Sequence, residues 1–421
     1  MDESKMQNRF ENIKSLIINS KGVHCKIING GNFYNAKESI IYSGNESRKV
    51  LPIEYFNIIN EVSEPCIDSI KLITLYEQYN DILKKFSKLT EYEIFIKSDV
   101  GNKIFQDDKK SIKETVESYA VNFRLKLLEN GCTFERGFGG TSDYKMIQNT
   151  ENKLYELAKV TIDSKKSESI FPGFYTVVLD SEATGLFVHE VIGHNLEADN
   201  WIANKKIQEA FELGSKVASE EVTIVDNPLL SNASGSYLHD EEGTEAKETI
   251  LIKGGFVNSL MHSKKTAYMM ETKLTGNARA ISYKFFPIVR MSNTYMLAGV
   301  KSIEEIIENI KYGIYMKGSR NSIGGENFCL SSREAYLIEN GKITKNLKSV
   351  EIIGNSAQIL RKIVDVSNDF NIYGGGDGGC GKQGQWPLPV GSGGPQVKIS
   401  SVFVRPHKEK INNIKIKGES L

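Results

Sequence analysis

The N-terminal part of the chain carries two spacings of apolar residues. Apolar positions three and four apart predict helices at residues 8–20, 66–89 and 145–162. Apolar positions that alternate with polar ones predict strands at residues 23–28, 93–97 and 118–126. No segment here gathers histidine, cysteine and carboxylate side chains into a recognisable site. We therefore predict an N-terminal α/β domain over residues 1–168, without a chemical signature of its own.

A polar stretch at residues 164–169 leads into a second region, in which strand patterns dominate. Strands are predicted at 175–179 and 397–404, and hairpins with glycine-containing turns at 250–257 and 336–343. Helices are predicted at 202–211, 302–311 and 356–364, the second beginning with Ser302 and Glu305 in a capping box. The predicted fold class is α+β, in which a largely antiparallel β domain over residues 169–421 follows the first domain.

The most informative segment of this second region is residues 185–199. It places two of the six histidines in one apolar, helix-like run: His189 and His194 are five positions apart, and Glu190 follows the first. In zinc peptidases of the HExxH type the histidines are four apart, on one helix face. At about 100° per residue, a spacing of five turns the two rings about 140° away from each other. A regular α-helix therefore cannot present both rings to one ion.

Two local distortions would bring the rings together: a single π-type turn, or a bend at Gly193. We predict that one of them occurs, so that a distorted helix binds a metal ion through His189 and His194. Glu190 would then lie near the ion and could take the proton of a water molecule that the ion activates. The alternative is that both histidines only complete hydrogen bonds in a half-buried helix.

A catalytic metal site needs a third protein ligand. The candidates are Glu197, Asp199, His239, His262 and the cysteines. The setting of Cys380 favours it, because the glycines around it permit close approach of the backbone and Lys382 favours a thiolate. The other cysteines have the apolar or mixed surroundings of structural positions.

Composition argues against several other classes of function. With 53 basic and 53 acidic residues the formal net charge is zero, so the chain lacks the positive charge typical of nucleic-acid binding. Its apolar runs are shorter than the ~18 residues that suggest a membrane-spanning helix. Five cysteines without a CxxC pair, and a start without the pattern of a signal peptide, favour a reducing, cytoplasmic location.

Several blocks, taken in order, resemble the TldD/PmbA family of metallopeptidases, whose members are also described as modulators of DNA gyrase. The first, His-Glu-Val-Ile-Gly-His-Asn-Leu-Glu-Ala-Asp at residues 189–199, fits the HExxxH signature of the family. The others are Asp-Glu-Glu-Gly-Thr at 240–244, Thr-Gly-Asn-Ala-Arg at 275–279, Arg-Met-Ser-Asn-Thr-Tyr at 290–295, Glu-Ala-Tyr-Leu-Ile-Glu-Asn-Gly at 334–341 and Cys-Gly-Lys-Gln-Gly-Gln at 380–385.

The resemblance implies that His189, His194 and Cys380 ligate one divalent metal ion, with Glu190 as the catalytic base. Two imidazoles and a thiolate favour zinc, with iron as the alternative. The resemblance also implies an active TldD-like subunit, either in a homodimer or in a heterodimer with an inactive PmbA-like (TldE-like) subunit. Substrate-binding or ligand-supporting roles are expected for Glu197, Asp199, Asn293, Arg290 and Arg279.

The predicted function is that of a metal-dependent peptidase that hydrolyses peptide bonds in unfolded or short polypeptides. The competing hypothesis is a non-catalytic binding or regulatory subunit with a structural metal ion. It leaves Glu190 without a role, and three protein ligands leave the open position that is typical of catalytic sites. Departures from the family pattern at His239, Trp386 and residues 404–407 concern substrate preference rather than the metal ligands.

Overall fold

The computed structural model of the protein describes residues 16–19, 22–29, 59–62, 69–106, 111–127, 133–141, 145–281, 285–375 and 378–407. Its elements form two groups, with a short 3₁₀ turn at Ser164–Lys166 between them. No helix within these ranges is both long and apolar enough to cross a bilayer.

The first group is an antiparallel sheet with helices packed on it. The strands are β1 (Leu16–Asn19), β2 (Gly22–Asn29), β3 (Ile59–Val62), β4 (Leu89–Gln106), β5 (Ser111–Leu127) and β6 (Thr133–Thr141). They lie in the order β1-β2-β4-β5-β6, and β3 pairs with β4. The helices are α1 (Ser69–Leu83), α2 (Lys145–Gln148) and α3 (Glu151–Asp163).

The core of this group follows from the spacing of its apolar residues. Helix α3 buries Leu154, Leu157, Ala158 and Thr161, which lie three and four positions apart on one face. Strand β5 buries Val121, Phe123 and Leu125, which alternate along it. Tyr79 of α1 meets the ring of Phe123 edge to face, with centroids 5.0 Å apart. The helices thus cover the apolar face of the sheet.

The second group contains two large sheets and two small hairpins. Its strands are β7 (Gly173–Leu179), β8 (Ile224–Asp226), β9 (Thr249–Lys253), β10 (Phe256–Val257), β11 (Ala278–Arg279), β12 (Ile288–Val289), β13 (Asn293–Met296), β14 (Tyr312–Ile323), β15 (Asn327–Glu339), β16 (Lys342–Leu347), β17 (Val350–Asn355), β18 (Ile363–Val366), β19 (Asn371–Gly374), β20 (Cys380–Lys382), β21 (Gln385–Leu388), β22 (Gly391–Gly394) and β23 (Val397–Pro406). One sheet has the order β14-β7-β23-β17-β15-β16, with β18 beside β23, and the other β10-β9-β8-β13-β22-β19. The pairs β7–β14 and β13–β22 are parallel, and the other described pairs are antiparallel.

One helix packs against strands of both large sheets. The helices of this group are α4 (Ser181–Val188), α5 (Ala198–Ala203), α6 (Lys205–Ala210), α7 (Lys264–Met269), α8 (Ile303–Glu308) and α9 (Ser356–Leu360). Helix α4 contacts β13 and β22 of one sheet and β14 of the other. It approaches β22 so closely that a Cβ on Gly185 would overlap the backbone of Gly393. Both positions are glycine, which lets α4 lie in the main core.

The α+β class and the β-rich C-terminal region are confirmed, but some element boundaries are wrong. Of the helix predicted at residues 8–20, the described part is strand β1, because its backbone pairs with β2. The helix predicted at 202–211 is divided at Asn204, whose side chain caps α6 by accepting from the backbone N–H of Lys206. The helix predicted at 356–364 ends at Leu360, and Ile363–Val366 joins the sheet as β18.

The two groups touch along β6. Arg136 of β6 lies 3.3 Å from the carboxylate of Glu182, which is in the first turn of α4. Glu182 also forms a two-pronged ion pair with the buried guanidinium of Arg333 on β15. These contacts anchor the first sheet beside the helix that leads into the histidine segment. The division into domains at residue 168 remains a prediction.

Candidate metal centre

The segment that follows α4 is a π-helical turn at His189–Gly193. The backbone N–H of His194 donates to the carbonyl of His189 at 3.2 Å, a bond that spans five residues. Such a turn brings positions five apart onto one side, and the rings of His189 and His194 lie with centroids 4.9 Å apart. Of the two distortions that the spacing allowed, the structure contains the π turn.

Packing explains the glycine that ends this turn. A Cβ on Gly193 would overlap the sulfur of Met291, so no larger residue fits without a shift. Val191 and Ile192 are fully buried in the main core. The apolar residues between the histidines therefore hold the turn in place, while the two rings face the other way.

Cys380 lies beside the two histidines. One potential ligand atom from each of His189, His194 and Cys380 lies within 4.8 Å of the other two. The Cys380 Sγ is 3.5 Å from Nε2 of His194. In a tetrahedral zinc site, ligand atoms at 2.0–2.3 Å from the ion are separated by about 3.3–3.8 Å. In addition, Nδ1 of His189 is buried without a hydrogen-bond partner in the described part of the chain. The donor set and its spacing fit a metal ion.

The backbone of Cys380 is held from behind by Arg290. Cys380 belongs to β20, which pairs with β21 so that Cys380 faces Leu388. The fully buried Arg290 donates from Nη2 to the carbonyl of Cys380 at 2.7 Å and from Nη1 to the carbonyl of Gln385 at 3.4 Å. One guanidinium thus binds both strands of the hairpin. The structure places Arg290 in a supporting position behind Cys380.

Charges around the cluster favour a thiolate. Burial alone would raise the pKa of the Cys380 thiol, but His189 and His194 outweigh burial and lower this pKa to about 5. Burial would lower the pKa of His194, yet the Glu197 carboxylate and Cys380 raise it well above its ordinary value. Binding of a metal ion here would release the proton of His194.

Glu197 orients the His194 ring. Its Oε2 lies 3.1 Å from Nδ1 of His194 and accepts from Nδ2 of Asn200 at 3.0 Å. Glu197 is fully buried, and burial raises the pKa of its carboxyl, but His194 and Lys382 lower it more strongly. A carboxylate on the second ring nitrogen fixes the ring orientation and leaves Nε2 facing Cys380, as in carboxylate–histidine–metal arrangements.

Lys382 connects the cysteine hairpin to the histidine segment. Its ammonium group lies 3.0 Å from Oε2 of Glu197 and 2.6 Å from Oδ1 of Asp199, and it donates to the carbonyl of Val289 at 2.9 Å. Cys380 and Lys382 belong to the same short strand. The position of Cys380 is therefore coupled to that of the Glu197 carboxylate, which orients the His194 ring.

We expect Lys382→Met to weaken metal binding by about 10- to 100-fold, the usual cost of losing a group that supports a ligand. Methionine keeps the length of the side chain but leaves the buried Glu197 without its cation. The measurement is competition for zinc with a chelator. A suitable control is Lys345→Met, which removes an exposed ion pair with Glu168. If the native protein, Lys382→Met and Lys345→Met bind zinc with equal affinity, Lys382 does not support metal binding.

Glu190 extends into the same site from the other side. Its Oε1 accepts a hydrogen bond from the Ser322 hydroxyl at 2.6 Å. Gly324 approaches so closely that a Cβ there would overlap the Glu190 carboxylate. The end of β14 and the turn that follows it therefore position this carboxylate. Ser322 and Gly324 carry no sequence signal beyond a Gly-Gly pair.

These groups line one open cleft of about 980 Å³. Its walls come from β6, from α4 and the π turn, from the end of β14, from β19 and from the β20–β21 hairpin. The lining includes His189, Glu190, His194 and Cys380 and five further charged residues: Arg124, Glu135, Glu182, Arg320 and Lys382. The cleft thus extends along the contact between the two groups of elements.

The remaining candidates lie away from the cluster. Asn293 accepts from the backbone N–H of Gly235 and donates to the carbonyl of Asn227, both at 2.9 Å. Arg279 donates to the carbonyl of Met291 at 2.7 Å. His239 lies 3.8 Å from Glu114, and His262 lies 3.3 Å from the Thr266 hydroxyl, where burial lowers its pKa to about 4. None of the four belongs to the described group of potential ligands.

Comparison with known proteins gives a consistent result. The sequence model described as PmbA/TldA metallopeptidase C-terminal domain matches residues 172–405. A metalloprotease of Methanocaldococcus jannaschii is 34% identical over 420 residues, which cover 93% of this chain and 91% of that protein. A metalloprotease of Methanothermobacter thermautotrophicus is 36% identical over 311 residues, which cover 71% of this chain and 66% of that protein.

A solved structure has a similar fold. TldE from Thermococcus kodakarensis superposes with a TM-score of 0.63 at 15% identity, over 86% of this chain and 81% of that one. At this identity the likeness concerns the fold alone. The family is shown by the match over residues 172–405 and by the nearly full-length archaeal relative, and the similar fold agrees with both. The chain belongs to the PmbA/TldD family of metallopeptidases.

Proposed function

We propose that this chain is a metal-dependent peptidase that hydrolyses peptide bonds in unfolded or short polypeptides. The observation that carries the proposal is the cluster of His189, His194 and Cys380, with the Glu190 carboxylate in the same cleft. His189, His194 and Cys380 would hold the ion. Its relatives in the two archaea are named metalloproteases, which supports the same class of reaction.

A divalent ion held there would supply Lewis-acid chemistry, making a water molecule more acidic and a peptide carbonyl more electrophilic. Glu190 accepts the proton of the attacking water at a carboxylate oxygen and later donates it to the leaving amine. Ser322 orients this carboxylate through its hydrogen bond to Oε1. Glu197 holds the His194 ring, and Lys382 with Asp199 supports Glu197.

The ligand types favour zinc, with iron as the alternative, because imidazole and thiolate suit both ions. The cleft favours an extended chain over a folded protein. Tyr373 and Gly374 of β19, the last strand in its sheet order, line it. Strand β6 contacts β19 near Gly375, so a peptide would reach β19 from the cleft, at Tyr373 and Gly374. Backbone hydrogen bonds there would not depend on the side chains of the peptide.

The second candidate is a non-catalytic subunit with a structural ion. Structural zinc sites have four protein ligands, whereas three ligands leave an open position. The carboxylate of Glu190, held in the cleft beside the cluster, would have no role in such a subunit. We also propose that the chain works as a dimer, with itself or with a TldE-like subunit, since TldE from Thermococcus kodakarensis shares its fold.

The proposed function predicts that removal of metal stops peptide hydrolysis and that zinc restores it. After chelation, the rate at which the protein cleaves an unfolded polypeptide such as reduced casein should fall by about 99% or more. The size of this loss is estimated from the usual contribution of metal-ion catalysis. Circular dichroism serves as the control, because the hydrophobic core should keep the fold intact. A protein that remains fully active after complete metal removal, verified by elemental analysis, contradicts the proposal.

A further inference from the structure

Trp386 is an exposed aromatic residue next to a metal-ligand candidate. It lies on β21, where Gln385 and Leu388 are buried, but 62% of Trp386 is exposed. The register pairs Leu388 with Cys380 and Gln385 with Lys382. Trp386 lies between these two buried residues, and its side chain lines the cleft.

The indole ring lies over the backbone that follows Cys380. A Cβ on Gly381 would stand 3.2 Å from Cδ1 of Trp386. The side-chain-free Gly381 thus lets the ring approach its strand closely. This contact fixes one part of the ring, while the exposed part faces the cleft.

A second exposed apolar side chain of the cleft lies next to the residues that contact Glu190. Ile323 is 69% exposed, lines the same cleft and stands between Ser322 and Gly324, both of which touch Glu190. Trp386 thus flanks the cysteine side of the cluster, and Ile323 flanks the carboxylate side. A substrate side chain that contacts either residue removes apolar surface from water. This burial contributes about 25 cal/mol of favourable free energy per Å².

We propose that Trp386 is a specificity-determining residue, whose indole forms one wall of an apolar subsite beside Cys380. The subsite takes a bulky apolar side chain of a polypeptide near the bond that is cleaved, and Ile323 offers a second apolar contact in the same cleft. Such side chains are accessible in unfolded chains and buried in folded ones. This inference rests on the proposed peptidase function.

The chain has two tryptophans, Trp386 and Trp201, which permits a binding test that needs no turnover. Trp201 donates from Nε1 to the carbonyl of Phe211 and lies outside the cleft lining. In the double variant W201F/E190Q, Trp386 is the one remaining tryptophan. Titration with a blocked pentapeptide of glycine and serine that carries a central Phe should shift its emission to the blue and saturate, whereas the central Ser peptide should cause no shift.

Kinetics provide the second measurement. In Trp386→Ala, KM for the Phe peptide should rise about tenfold with a smaller change in kcat, since one aromatic contact surface is lost. The ratio of kcat/KM for the Phe peptide to kcat/KM for the Ser peptide should therefore fall by a similar factor. The control is Phe171→Ala, which removes an aromatic side chain that is 85% exposed and lies outside the cleft lining.

These measurements test the Trp386 subsite and the proposed peptidase function separately. An unaltered preference for Phe over Ser in Trp386→Ala overturns the subsite, and so does an emission that never responds to the Phe peptide. An emission that depends on protein concentration without peptide shows that a second copy covers Trp386, which also overturns it. If the unmodified protein cleaves neither peptide nor casein, the proposed function fails, and the titration still decides the subsite.

Discussion

Glu190→Gln should abolish peptide hydrolysis while metal binding stays unchanged. The amide keeps the size of the side chain. Its oxygen can still accept the hydrogen bond that the Ser322 hydroxyl donates to Oε1 of Glu190 at 2.6 Å in the native protein. It cannot accept the proton of the attacking water. Loss of a general base lowers kcat by about 10²- to 10⁴-fold. The measurement is kcat on an unfolded polypeptide, together with zinc content by elemental analysis.

The matched control for this substitution is Glu209→Gln. Glu209 is an exposed residue whose carboxylate lies 3.8 Å from Lys205. The substitution again replaces a carboxylate by an amide, but at a site that takes no part in the proposed proton transfer. The Glu209→Gln variant should therefore cleave at the native rate. If Glu190→Gln retains native kcat with a full complement of metal, another group is the base and the assignment is wrong. If it also loses the metal, Glu190 supports the ion as well.

Cys380→Ala should lose most of its affinity for the metal. The substitution removes the thiolate, which His189 and His194 stabilise by lowering the pKa of the thiol to about 5. Zinc held by full protein ligand sets contributes about 10–16 kcal/mol, so a missing ligand should cost at least about a hundredfold in affinity. The measurement is the zinc dissociation constant by chelator competition, with hydrolysis falling in parallel.

Cys329→Ala is the control for the loss of a thiol. Cys329 is a free cysteine on β15, where burial and the nearby Glu351 raise the pKa of its thiol. A neutral thiol is a poor metal ligand, because the thiolate is the form that binds. This variant should bind zinc as the native protein does. Equal zinc affinity in Cys380→Ala would remove Cys380 from the ligand set and restore Glu197 or Asp199 as candidates.

The spacing of the histidines was enough to predict a distorted helix, but not which of the two distortions it contains. Five positions cannot align on a regular helix, so the sequence required a distortion, and the π turn at His189–Gly193 provides it. Capping chemistry was similarly local: Ser302 and Glu305 exchange hydrogen bonds at the start of α8, as the pattern predicted. Both signals lie within a few residues of sequence, which is why residue spacing alone was enough to detect them.

Long-range contacts could not be predicted in the same way. The hydrogen bond between Ser322 and Glu190 joins residues 132 positions apart, and that between Lys382 and Asp199 joins residues 183 positions apart. Such pairs depend on how strands are arranged in the sheets, which apolar spacing does not encode. For the same reason Leu16–Asn19 follows a helical pattern yet pairs as a strand with β2.

The separation of Cys380 from His194, 186 residues along the chain, has a consequence during biosynthesis. A ribosome adds about 5–20 residues per second, so roughly 10 to 40 seconds pass between the synthesis of these two residues. During that interval the nascent chain exposes both histidines and Glu190 without the thiolate. The proposed ligand set is complete only after Cys380 has been synthesised. Under the proposed function, a nascent chain that has not reached Cys380 would not hydrolyse its own unfolded segments or other nascent proteins.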